Sequence, residues 1–276
     1  SMLAAFTTMD AASDTVSEII AAGMVPAALE MMDRNTIDAV EPFYHPGYPK
    51  EAQAVLIVEV DGLIESVEEQ TETVLAICNK NGAMEIREAD DEATRAKLWE
   101  TRKGAIGAYG TIAPTYYLVD GVVPRTKLRE VLQQVDQIAA ELEVTVANVF
   151  HAGDGNIHPA ILFNERNPAE VKQAILAGAK ILEACVAAGG ALSGEHGIGI
   201  EKQAYMPLVF TENDLESMSR LRTAFIGESP KDAPIDVPSL AERFNPGKVF
   251  PGGAVHGEAY GITAESFRPT GTQDWQ

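Results

Sequence analysis

The dipeptide Asp154-Gly155 sits between two stretches that alternate in polarity, Thr145/Ala147/Val149 and Ile157/Pro159/Ile161. Both central residues of a type I′ turn need positive φ, which makes Asp-Gly the strongest short hairpin signal. An antiparallel hairpin over 144–163 is therefore predicted. Folded about that dipeptide, the strands pair Gly153 with Asn156, Ala152 with Ile157 and His151 with His158. Cross-strand Cβ atoms lie roughly 5 Å apart, so the two imidazoles would face each other at a spacing that suits a shared metal ion.

The remaining chain alternates strand-like and helix-like segments joined by short links. Strands are predicted at 3–7, 27–32, 53–60, 83–89 and 116–124, with helices at 9–22, 63–80, 91–109, 125–142, 167–188, 201–206 and 211–226. The β-α-β-β-α-β order with Asp-Gly breaks fits ferredoxin-like units better than a doubly wound parallel sheet. The predicted class is α+β: an antiparallel sheet built from ferredoxin-like units, with helices packed mainly on one face. Gly104, Gly107 and Gly110 recur at spacing three on a predicted helix and read as close packing.

The 276 residues suffice for one large domain or two modest ones. A formal charge of −20 excludes the basic footprint that nucleic acid requires and disfavours anionic lipid. No apolar run reaches the ~18 residues of a membrane span. No Gly-x-Gly-x-x-Gly follows a strand and no Walker lysine is present, so nothing reads as a nucleotide site. The two cysteines, Cys78 and Cys185, stand alone in apolar helical contexts, which points to a reducing, cytoplasmic setting.

The chemistry concentrates in two segments, Phe150–His158 and Ser193–Gly199, which hold three of the five histidines. Glu195 and His196 follow the small-residue run Gly189–Gly194, where backbone can approach a ligand closely. Two imidazoles and a carboxylate, His151, His158 and Glu195, make a ligand set with an open position, the pattern of a catalytic divalent-metal site of the zinc, manganese or iron type. His196 then stays free as a base, since imidazole exchanges protons near neutral pH. The bland alternative is a histidine pair in an ordinary hairpin, with Glu195 and His196 as a surface pair.

Both segments resemble the C-terminal domain of FAD-linked oxidases in the vanillyl-alcohol oxidase superfamily. Ala22–Asp33 is similar to the opening of that domain, and Phe244–Pro251 to its closing motif. Tyr116–Arg125 is similar to the version found in the flavin-bearing subunits of bacterial glycolate oxidases, with the D-lactate dehydrogenases as the second alternative within the flavoenzymes. The likeness covers about 3–251, expected to be one substrate and cap domain, with 252–276 as a flexible tail. Residues 226–243 depart from the family pattern, being longer and richer in Pro and Asp.

The resemblance implies FAD, held mainly by an N-terminal domain that this sequence does not contain. Ser1-Met2 looks like a cloning remnant, so an excised piece, inactive alone, is expected. It further implies that His196 is the base and that Arg102 binds the substrate carboxylate. Asn156, from its place beside the turn, is expected to bond substrate or flavin, the alternative being the turn's own backbone. Arg125 and Lys248 would reach the FAD domain. Related D-2-hydroxyglutarate dehydrogenases carry a lysine where Leu118 stands here, which favours a small 2-hydroxy monocarboxylate. Companion flavin and iron–sulfur subunits, and through them attachment to the inner membrane, are implied for the glycolate branch. Two other classes stay open: a metal-dependent hydrolase using the same residues with activated water, and a non-catalytic cap or assembly module.

Overall fold

The computed structural model describes residues 1–226. Lys248, the closing motif, the departure from the family pattern beyond 226 and the tail fall outside the described residues. The first unit comprises β1 (Met2–Phe6), α1 (Met9–Ala21), β2 (Ala28–Asp33), α2 (Arg34–Tyr44), β3 (Ala54–Glu59), α3 (Ile64–Lys80) and β4 (Glu85–Glu88). Its strands lie in the order β4-β1-β3-β2 with antiparallel neighbours. Two split β-α-β crossovers interleave in this way, which is the ferredoxin-like arrangement predicted from the sequence.

After α4 (Glu92–Ala108), the second unit repeats the plan with β5 (Thr115–Leu118), β6 (Gly121–Val122), α5 (Leu128–Leu142), β7 (Thr145–His151), β8 (Asn156–Ile157), β9 (Pro159–Phe163) and α6 (Pro168–Ala187). Ala191 completes it by bridging to Val122. The units fuse where β2 pairs with β7, giving one nine-stranded sheet. That junction sets Glu30 opposite His151. A 3-10 segment, Gln203–Leu208, and α7 (Glu212–Ile226) follow.

Alternation along the strands sends side chains to both faces, and each face has a core. Met2, Phe6, Leu56, Val58 and Phe150 pack against α1, α3, α5 and α6. Leu3, Met32, Val55, Ile57 and Val149 pack against α2 and α4. Four helices thus share one face, as expected, while two cover the other.

Three local expectations need correction. No element was predicted between 33 and 53, yet α2 starts directly at the end of β2. Asp33 caps it by accepting from the Thr36 N–H at 2.8 Å, and Pro42 lies within it. The strand expected over 116–124 is broken into β5 and β6, because Asp120 turns into the interior. The helix expected at 201–206 is the 3-10 segment. Close packing holds for Gly104, whose absent side chain makes room for the Tyr44 ring, but Gly110 faces open space.

Candidate functional site

The Asp154–Gly155 turn forms in a different register from the predicted one. Ala152–Asp154 winds as a 3-10 turn, and only Gly155 takes positive φ, at +71°. His151 therefore pairs with Asn156 rather than His158. His158 occupies the link between β8 and β9, and its ring still reaches that of His151, centroid to centroid 5.4 Å at 81°. The two imidazoles meet as expected, but not through the predicted cross-strand pairing.

Glu195 arrives from the loop after α6. Its Oε1 lies 3.8 Å from His151 Nε2 and 3.2 Å from His158 Nε2. All three ligand atoms fall within 4.8 Å of one another. Tetrahedral ligands held about 2.1 Å from a metal stand ~3.4 Å apart, and the two measured separations straddle that spacing. The fit has a second mark. His158 Nε2 is buried without a hydrogen-bond partner among the described residues, and a buried polar atom left unpaired is costly unless it has a ligand. A donor set of two imidazoles and one carboxylate suits a divalent transition metal.

His196 stacks on His158, rings nearly parallel at 8° with centroids 5.1 Å apart, and its Nε2 lies 3.5 Å from Glu195 Oε1. It is substantially exposed, so the imidazole edges the ligand cluster and is open to solvent. Asn156 is buried, with Oδ1 unpaired, and its amide packs against Gly194. A Cβ at Gly194 would fall 2.5 Å from Asn156 Cγ, so that glycine is required by close approach. Arg125 is exposed beside Gly155, and its backbone carbonyl accepts from Ser17.

Two site residues escaped the sequence reading. The first is Glu30, on β2 and 6% exposed. Its Oε1 lies 2.7 Å from His151 Nδ1, and its Oε2 accepts from Arg102 Nε at 2.8 Å and lies 2.8 Å from Nη2 in an ion pair. Arg102 is thereby brought to the site, with part of its donor fork already used. The hydrogen bond to Glu30 pushes the His151 imidazole above its ordinary range, against the opposing effect of burial.

The second is Asp120, fully buried in the gap between β5 and β6. It accepts from Ser193 Oγ at 2.6 Å, from the N–H groups of Gly194 and His196 at 2.9 and 3.0 Å, and from Lys202 Nζ at 3.0 Å. Burial alone would raise this carboxyl. The side chains of His158, Ser193 and Lys202 and the Gly194 N–H outweigh it and hold the group far below the carboxylate range. At 3.7 Å, His158 Nε2 is beyond hydrogen-bond reach of Asp120, so its share is electrostatic. Successive N–H groups wrapped round one carboxylate fix the loop that carries Glu195 and His196.

Tyr116 and Tyr117 diverge as strand neighbours must. Tyr117 is buried under α6, while Tyr116 meets Tyr109 edge-on at 6.4 Å on the other face. No helix among the described residues is long and apolar enough to cross a membrane.

Comparison with known proteins agrees with this architecture. The chain is 43% identical over 239 residues to the glycolate oxidase subunit GlcD of Escherichia coli K12, covering 87% of this chain and 48% of that protein. It is 35% identical over 249 residues to the Bacillus subtilis GlcD, covering 90% and 50%. A probable mitochondrial D-lactate dehydrogenase of Danio rerio is 28% identical over 252 residues, with 91% and 48% covered. The chain spans about half the length of the curated relatives it matches. Among solved structures, 4-ethylphenol oxidase from Gulosibacter chungangensis superposes with a TM-score of 0.59 at 15% identity, covering 81% of this chain and 51% of that one, which shows a shared fold. The model for FAD linked oxidases, C-terminal domain, matches residues 1–225, and the chain belongs to that family.

Proposed function

We propose that this chain is the substrate- and metal-binding domain of an FAD-dependent dehydrogenase acting on a small 2-hydroxy monocarboxylate, glycolate first. The observation that carries the reading is the convergence of His151, His158 and Glu195, with a buried His158 Nε2 that has no hydrogen-bond partner and a solvent-open His196 beside it. A hydrolase would use the same three ligands, but the family relationship favours redox chemistry at an alcohol carbon. D-lactate is the second substrate to consider, supported by the likeness to D-lactate dehydrogenases.

Flavin supplies the hydride acceptor for C2, and a divalent cation held by His151, His158 and Glu195 supplies Lewis-acid polarisation of the substrate hydroxyl. The chain's own residues do the rest. Arg102 offers the fork geometry that binds a carboxylate, using the donors that Glu30 leaves free. Asn156 Oδ1, buried and unpaired, is placed to accept a hydrogen bond. His196 takes the hydroxyl proton on its imidazole and, being exposed, passes it to solvent. Arg125 and Lys248 are proposed to meet the FAD-binding part, with companion flavin and iron–sulfur subunits as onward electron carriers.

The test is anaerobic reduction of the flavin in the flavin-loaded protein by glycolate, D-lactate and D-2-hydroxyglutarate, in wild type and His196→Ala. Rapid bleaching by glycolate or D-lactate that slows at least ~100-fold in the variant is the expected result. Bleaching by none of the three, or an unimpaired variant, contradicts the reading.

A further inference from the structure

We propose that Glu30 is a positioning residue that ties the metal-binding imidazole to the substrate-binding guanidinium, so that one buried carboxylate sets both anchors of the reacting molecule. The inference rests on the reading above of His151 as a ligand and Arg102 as the carboxylate anchor. It begins with register. The β2–β7 junction between the two ferredoxin-like units places Glu30 directly opposite His151, 121 residues away in sequence. The side chain is 8% exposed and divides its two oxygens, Oε1 to His151 Nδ1 at 2.7 Å and Oε2 to Arg102 at 2.8 Å.

The chemical consequence is directional. A carboxylate accepts only, so His151 must place a proton on Nδ1, which leaves the Nε2 lone pair pointing at Glu195 and His158. Carboxylate–histidine–metal triads work in this way: the outer carboxylate fixes tautomer and ring angle and raises ligand basicity. The same carboxylate holds Arg102 through Nε and Nη2, so its remaining N–H groups face a set direction without an entropy cost on substrate arrival. Cation and substrate carboxylate are then held by one rigid Arg102–Glu30–His151 chain. Their mutual distance is fixed by protein geometry rather than by the substrate.

Glu30→Gln tests this in the flavin-loaded full chain, because it keeps shape and one acceptor while adding a donor. Zinc affinity, read by calorimetric titration, is expected to fall about 10–100-fold. At saturating zinc, kcat for glycolate should recover while KM stays raised, since the loosened Arg102 binds ground state and transition state equally less well. A variant with wild-type zinc affinity and wild-type KM overturns the proposal. Should the variant fail to fold, the wild type decides: ¹⁵N shifts of His151 at alkaline pH, without metal, must report the Nδ1-protonated tautomer. An Nε2-protonated ring overturns the proposal as well. If the wild type takes up no zinc at all, it is the metal reading that fails, and this inference falls with it.

Discussion

Lys202 donates its ammonium to Asp120 twice, at 2.8 Å to the backbone carbonyl and 3.0 Å to Oδ2, and both side chains are essentially out of solvent. Breaking a buried pair by removing one partner leaves an uncompensated charge and costs about 3–5 kcal/mol. Lys202→Met is therefore expected to lower unfolding free energy by that order in urea denaturation. Amide exchange at 194–196 should quicken in the same variant, because Asp120 would no longer be held under the loop. Unchanged stability would show that the pair is dispensable.

Gly194 has no room for a side chain. A methyl there would lie within 2.6 Å of the Asn156 amide atoms, and overpacking of this kind costs about 1–3 kcal/mol. Gly194→Ala is expected to lower kcat/KM for glycolate at least tenfold while melting only a few degrees lower, as Asn156 and the Glu195 loop are pushed apart. A silent substitution would mean that Asn156 does not need its present place.

Legibility followed sequence distance. His151, His158, Glu195 and His196 were readable because few histidines exist and they cluster with small residues that admit a ligand. The turn register was not, because Asp154 stays out of the positive-φ region and lets Ala152–Asp154 wind into a 3-10 turn. Glu30 looked like one polar residue in a hydrophobic strand, and its role exists only once β2 meets β7. Asp120-Gly121 carried the same dipeptide signal as a turn, although its carboxylate goes inward to collect donors from a loop more than 70 residues on. The ferredoxin-like units were legible from element order, and α2 was hidden because its cap, Asp33, is also the last residue of a strand.

Asp33 gives a pH dependence distant from the ligand cluster. Burial raises its carboxyl to about 6, against hydrogen bonds from Thr36 and Asn148, while an unfolded aspartate titrates near ~3.9. The folded state thus holds the proton more tightly. This contribution to stability is fully present below pH ~4 and is lost as pH rises through about 6, amounting to about 3 kcal/mol at most. Denaturant melts from pH 4 to 7 should show wild type losing stability relative to Asp33→Asn over that window. Parallel profiles would contradict the assignment.

Both thiols are free and buried. Burial pushes Cys78 up to about 11 and Cys185 up to about 12, so neither offers thiolate near neutrality. Native protein at pH 7.5 is expected to react with a thiol reagent only on the timescale of unfolding, and two equivalents should react at once in denaturant. Fast labelling of either cysteine in the native state would contradict its placement in the core.

The most direct measurement is equilibrium dialysis of the protein against zinc and manganese, in wild type and His158→Ala. His158 carries the buried nitrogen that lacks a hydrogen-bond partner, so its loss should remove one ligand of the site outright. The account predicts one equivalent of metal per chain in wild type and a loss of at least ~100-fold in affinity in the variant. Metal-free wild type, or a variant that binds as tightly, would contradict it and return the histidine cluster to a structural explanation.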